Sequence, residues 1–156
     1  MIDELAVLGE GHADGVGTER RIPSMYVDPV AWLVLAAIDA ALAECPDSVQ
    51  KSPDDVAVIL ISTHATRDTM AEIAGGRLSP LRFAGASPGG AASLACRVHG
   101  FRGPSLLLTT GPQVGRQTAL TVAQSWLRTG AAAHVVLSAH TTDPHHVHSV
   151  VLATQR

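Results

Sequence analysis

Aromatic residues are scarce in this chain: two Trp, one Tyr and two Phe, or 3% of 156 residues. The core therefore has to be built from Ala, Val, Leu and Ile, which dominate the 46% of apolar residues. Cysteine is rare as well. Cys45 and Cys96 show no metal-ligand or redox spacing and read as reduced thiols. A basic excess is missing: 11 basic residues, all Arg except Lys51, face 14 acidic ones for a formal charge of -3. That argues against nucleic acid as a partner. No apolar run approaches the ~20 residues that span a bilayer, and the opening MIDELAVLGEG does not read as a signal peptide. The expectation is a cytoplasmic protein with no membrane partner. Charged residues reach only 16%, far from the composition of disordered chains. A single domain of this length buries roughly 70% of its unfolded surface, so it needs neither disulfide nor metal. Nothing implies a cofactor.

The apolar pattern predicts alternating strands and helices. Residues 4–10 read as a strand closed by a Gly9 and Gly11 turn, followed by a long irregular, glycine-rich connection. Asp28-Pro29 opens a helix over 30–44, with the acid as cap and the proline in the first turn. Its apolar residues run almost all round, which predicts burial on more than one side. Val56–Ser62 is a continuous β-branched and aliphatic run, the pattern of a strand covered on both faces. A short helix over 67–75 leads into a Gly/Pro-broken region. Helix 91–99, strand 105–109, helix 114–129 and strands 133–139 and 147–154 follow. The class is α/β, a mainly parallel five-stranded sheet with helices. The TTDP link between the last two strands is too short for a crossover, so these pair antiparallel.

Three local patterns invite a chemical reading. Gly9-Glu10-Gly11 begins a dinucleotide fingerprint, but the third glycine position holds Asp14 and no helix follows, leaving a strand-ending turn. Gly85-Ala86-Ser87-Pro88-Gly89 has the form of a nucleophile elbow, with Asp143 and His145, His146 or His148 downstream in triad order. Pro88, however, has no N–H to serve as oxyanion donor. The run from His140 to His148 holds four of the eight histidines. His146 and His148 alternate onto one face of a strand, where imidazoles with Asp143 and His145 form a candidate zinc set; a solvated histidine cluster is the plainer reading.

Residues 87–139 carry a more specific pattern. Pro88 precedes Ala91-Ala92, His99-Gly100-Phe101 precedes Gly103-Pro104-Ser105, and the strand Leu106–Leu108 follows; Arg128, Gly130 and Ala132 then lead into another strand. This order resembles the β-ketoacyl synthases of the thiolase superfamily, and the opening ELAVLGEG and DDVAVILIST fall where that family's first two strands lie. The resemblance covers nearly the whole chain, most specifically residues 88–139. It implies the N-terminal half of a thiolase-like fold (βαβαβαββ), with residues 1–156 as one truncated ketosynthase-like domain.

The departures bear on function. The family's nucleophilic cysteine opens the helix after the third strand. Counted forward from Gly103-Pro104 that position is Pro112; counted back from Arg128 and Gly130 it is Gln113. Neither side chain can form a thioester. A Gln here is similar to the chain length factors, the inactive partners of ketosynthases in type II polyketide assembly. In the family the catalytic histidines come from the C-terminal half, which the resemblance does not reach. The implied role is a non-catalytic accessory subunit, with Gly111, Pro112 and Gln113 as a binding point for an acyl group. The implied partners are a second copy or a ketosynthase, with an acyl carrier protein as a further one. A lone half also leaves an apolar face uncovered, on helix 30–43 or helix 114–126. The alternative is a small thioesterase- or dehydratase-like enzyme using Ser87, His140 and His146.

Overall fold

Six consecutive aliphatic residues, Val56–Ile61, form β2, and every one of them is buried. In the computed structural model, which describes residues 5–15, 22 and 25–155, this strand lies inside a five-stranded sheet. The other strands are β1 (Leu5–Asp14), β3 (Ser105–Leu108), β4 (His134–Thr141) and β5 (His146–Thr154). Their order is β1-β5-β4-β2-β3. β2 pairs parallel with β3 and β4, while β5 runs antiparallel to both β4 and β1. Four strands thus point one way and β5 opposes them, as the short link 142–145 requires.

The helices are α1 (Pro29–Ala43), α2 (Asp47–Lys51), α3 (Arg67–Ala74), α4 (Pro80–Gly85), α5 (Gly90–His99) and α6 (Pro112–Thr129). Three differ from the sequence reading. α2 forms in the polar stretch after α1, where no helix is expected. α4 lies in the region expected to be broken; Ser79 caps it by accepting the Arg82 N–H, and Pro80 supplies its first turn. α6 starts two residues early, because Pro112 suits a first turn that needs no N–H.

α1 and α5 cover one face of the sheet and α6 the other, so two apolar clusters sit on opposite sides. Val56, Val58 and Leu60 point to the α1 side, and Ala57, Ile59 and Ile61 to the α6 side. Ten of the fifteen α1 residues are buried, as its all-round apolarity predicts. α5 packs through Ala91, Ala92, Leu94 and Ala95, and His99 Nε2 ties it to α1 through Asp39 Oδ1 at 2.7 Å.

The N-terminal strand corrects the sequence reading. Gly9 and Gly11 do not end it; β1 continues to Asp14, paired with β5 throughout. The glycines serve close packing. A Cβ on Gly9 would sit 2.3 Å from the Ala41 carbonyl oxygen, and one on Gly11 2.3 Å from the Ala41 nitrogen. The register shifts between Val7 and Gly9, so Leu8 forms a bulge. Leu5 packs in the α6-side cluster and Leu8 in the α1-side cluster, and the alternation restarts after the bulge. Most of the expected irregular connection lies outside the described residues.

Asp28 ties this layer together. Its buried carboxylate accepts the Val30 N–H at 2.9 Å, capping α1. The other oxygen accepts the Thr69 hydroxyl at 2.5 Å and the Thr69 N–H at 3.3 Å, fixing α3. Asp28→Ala removes the cap and leaves Thr69 unsatisfied in the interior. The expected loss is about 2–3 kcal/mol, read from denaturant midpoints. Both thiols are free, and burial pushes Cys45 and Cys96 above the ordinary thiol pKa. Among the described residues no helix is long and apolar enough to cross a membrane.

Candidate functional site

In open α/β sheets, sites gather where parallel strands end. β2, β3 and β4 end side by side here, and each delivers polar residues. Ser62 follows β2, His140 sits near the end of β4, and Gly111-Pro112-Gln113 follow β3.

His140 faces the α1 side and is only 1% exposed. Its Nδ1 lies 2.7 Å from Ser62 Oγ, which also accepts the Ala65 N–H at 2.9 Å. Its Nε2 lies 2.9 Å from His145 Nδ1, and the two rings stack at 5.2 Å. His64 meets both rings edge-on, and its Nε2 approaches Asp68 at 3.3 Å. Burial, then the neighbouring His145 and His64, push the His140 pKa down to about 4. The ring is therefore neutral in the folded protein near pH 7.

This has a signed consequence. The unfolded chain protonates His140 near pH 6.5, whereas the folded chain does so only near 4. Its contribution is intact above 6.5 and is lost as pH falls from there towards 4. The loss is on the order of 3 kcal/mol. His140→Gln is expected to flatten stability against pH over that window, measured by urea unfolding from pH 4 to 7.

Ser62 was not anticipated; its only signal is its place directly after a buried parallel strand. The residues of the alternative enzyme reading do not meet. Ser87 lies between α4 and α5 with no strand before it, so the elbow context is absent. It lines a cavity of about 770 Å³ in which no histidine is among the described lining residues. His140 pairs with Val147 on the α1 face, while His146 pairs with Thr141 on the opposite face.

The zinc set drawn from the sequence is likewise divided. His145 joins His64 and His140, whereas His146 and His148 lie beside His12, Asp14 and Glu10 of β1. Asp143 sits in the turn between β4 and β5 and joins neither group. The strand pairing that brings β1 beside β5 is what sequence spacing does not show. Among the described residues, two sets bring three ligand atoms within 4.8 Å of one another: Glu10, His12 and His148, and His64, Asp68 and His145.

On the other face α6 touches the sheet through Gly115, Ala119, Ala123 and Leu127, one stripe at four-residue spacing. This helix, not α1, has the uncovered side. Beside it runs an apolar groove of about 360 Å³. Leu5, Val7, Val150 and Leu152 form its floor, and Gln113 and Leu120 its α6 wall. Gly111 caps α6 without a side chain; Pro112 has no N–H, and the Val114 and Gly115 N–H groups donate to the Gly111 carbonyl at 3.1 and 2.8 Å, so the Gln113 N–H is the first-turn donor left to meet an acceptor. No cysteine, serine or threonine lies among the described residues lining this groove. A second apolar patch, unmarked in the sequence reading, is formed by Met70, Ile73 and Phe83 of α3 and α4.

No protein-family model matches the chain, and no curated protein matches it. Solved structures do. One is a chain of AntDE:AntF, a type II polyketide synthase acyl-carrier protein in complex with its ketosynthase bound to the hexaketide. It is 14% identical with a TM-score of 0.74, over 97% of this chain and 62% of that one. The ishigamide ketosynthase/chain length factor is 13% identical with a TM-score of 0.72, over 96% and 62%. The ketosynthase ApeO in complex with its chain length factor ApeC from Xenorhabdus doucetiae is 11% identical with a TM-score of 0.67, over 97% and 79%. At such identities the likeness is one of fold. The architecture is the thiolase-like half-fold found in β-ketoacyl synthases. The chain spans 62% of the length of the first two of these structures.

Proposed function

We propose that this chain is a non-catalytic, ketosynthase-like partner subunit in polyketide or fatty-acid-type biosynthesis, pairing with a ketosynthase. The observation that carries the reading is the start of α6, where Gly111-Pro112-Gln113 offers backbone and an amide but no thiol. Claisen condensation needs a thiolate to hold the acyl chain. An amide cannot form that bond, yet it can hydrogen-bond a carbonyl. The groove beside Gln113 is apolar and suits an acyl chain.

Two features support a protein partner. The groove leaves apolar sheet surface beside α6, and β3 pairs only with β2 among the described residues, leaving its other edge open. The fold relatives named above include a ketosynthase with its chain length factor and a ketosynthase with an acyl-carrier protein. On this reading residues 1–156 act as one ketosynthase-like domain, and an acyl carrier protein reaches the assembly through the ketosynthase.

Co-expression with a type II polyketide ketosynthase tests the reading. Stable co-purification, with condensation abolished by mutating the partner's own cysteine and not by Gln113→Ala, is expected. A chain that condenses acyl thioesters alone overturns it.

A further inference from the structure

The geometry points to a transition-metal site on the exposed β1–β5 surface, with Glu10, His12 and His148 as ligands for a divalent ion of the zinc class. This inference does not rest on the partner role.

The backbone assembles the site first. His12 and His148 are direct cross-strand partners, and Asp14 faces His146 one step along. Without the Leu8 bulge, Glu10, His12 and Asp14 would share the face of Leu8 and turn towards α1. The bulge places them on the face of Leu5 and Val7, beyond the polar end of the groove.

The side chains then set the proton pattern. His146 Nδ1 donates to the Asp14 carboxylate, which can only accept. In the neutral ring His146 Nε2 is therefore an acceptor, so His12 Nδ1 donates to it across 3.2 Å. With His12 in its neutral form, the proton then sits on Nδ1 and Nε2 carries the lone pair that a metal needs. Nε2 faces Glu10 Oε1 at 3.5 Å. The same carboxylate oxygen takes His148 Nε2 at 2.7 Å. The His12 and His148 rings stack with centroids 4.4 Å apart, 10° from parallel, so both present an edge to Glu10.

A cation fits that arrangement. Zinc bonds of about 2.0–2.2 Å in a tetrahedron place ligand atoms roughly 3.3–3.6 Å apart. The 3.5 Å separation already lies in that range, and the 2.7 Å one reaches it by a sub-ångström adjustment of exposed side chains. An entering ion takes the place of the proton between His148 Nε2 and Glu10, which moves through solvent to His148 Nδ1, so the ring ligates through Nε2 as neutral imidazole. Two imidazoles and one carboxylate leave a fourth position for water, as in open zinc sites. The His12–His146–Asp14 chain supplies the outer hydrogen bonding that orients a ligating histidine. His146 and Asp14 are positioning residues; neither is a ligand.

Titration of the whole chain with zinc chloride against a competing chromophoric chelator tests this. One ion per chain is expected. His12→Ala and Glu10→Gln, at half-exposed positions that preserve the fold by circular dichroism, should each weaken binding at least tenfold. Asp14→Asn should weaken it by about tenfold through His146. Cobalt(II) should give the intense visible absorption of a four-coordinate site in the native chain and lose it in His12→Ala. His64→Ala should change nothing. No saturable binding, native affinity in His12→Ala, or a loss confined to His64→Ala and the opposite histidine group would each overturn the proposal.

Discussion

Gly11→Ala is expected to be the most damaging single-methyl change in this protein. The added Cβ would lie 2.3 Å from the Ala41 nitrogen, 2.4 Å from the Ala37 oxygen and 2.8 Å from the Ala40 carbonyl carbon. All three are backbone atoms of α1, so no side chain can swing aside. Either α1 lifts from the sheet or β1 leaves its ladder with β5. α1 also packs on α5, and its residues fill the larger apolar cluster, so lifting it opens voids along its length. The expected cost is about 3 kcal/mol or more. For a chain of this length that lowers Tm by on the order of 10 °C. Gly89→Ala is the matched control. Gly89 has φ -63° and open space around its Cβ position, so alanine there should be neutral or slightly stabilising. Calorimetry on both variants checks the pair of outcomes.

Paired substitution in the groove is expected to have the largest effect on association. Val7 is 59% exposed on the groove floor, and Leu120 is half-buried on its α6 wall. Val7→Asp with Leu120→Glu puts two carboxylates where a partner's apolar surface would be buried. Arg116, one turn before Leu120, lines the same groove and offsets part of the added charge, yet burying two carboxylates there should still weaken binding to the proposed ketosynthase partner at least tenfold. Stability of the isolated chain should change little, because neither side chain is fully buried. Biolayer interferometry against the immobilised ketosynthase measures the first effect and thermal unfolding the second. His99→Ala on the α1–α5 side, away from the groove, should leave affinity unchanged.

Much of the fold was legible in the sequence because burial writes itself into residue type. β2 is aliphatic at every position, and both of its faces are covered. Asp28-Pro29 marked the start of α1 through the chemistry of the cap itself. The short link 142–145 required the antiparallel β4–β5 pair. What escaped was long-range. Gly9 and Gly11 resemble turn glycines locally, and only the approach of α1 from about thirty residues away gives them their packing role. The region around α4 reads as broken because proline and glycine occupy its ends, which are the places a short helix tolerates them.

The site residues show the same division. Gly111, Pro112 and Gln113 were singled out from the resemblance, and they do open α6 at the end of β3. The histidines between 140 and 148 looked like one cluster in the sequence. A strand alternates its side chains between faces, so His140 and His146 part company. Their actual neighbours, Ser62 and His64 on one side and Glu10, His12 and Asp14 on the other, lie 76 or more residues away in sequence. No local pattern could have paired them.

The most direct test of the proposed partner-subunit role is the native mass of this chain co-expressed with a ketosynthase. A complex containing one copy of each chain, retained through size exclusion and dissociated by the Val7→Asp and Leu120→Glu pair, is the predicted result. A chain that stays monomeric beside an unbound ketosynthase, with its groove open to solvent, would contradict it.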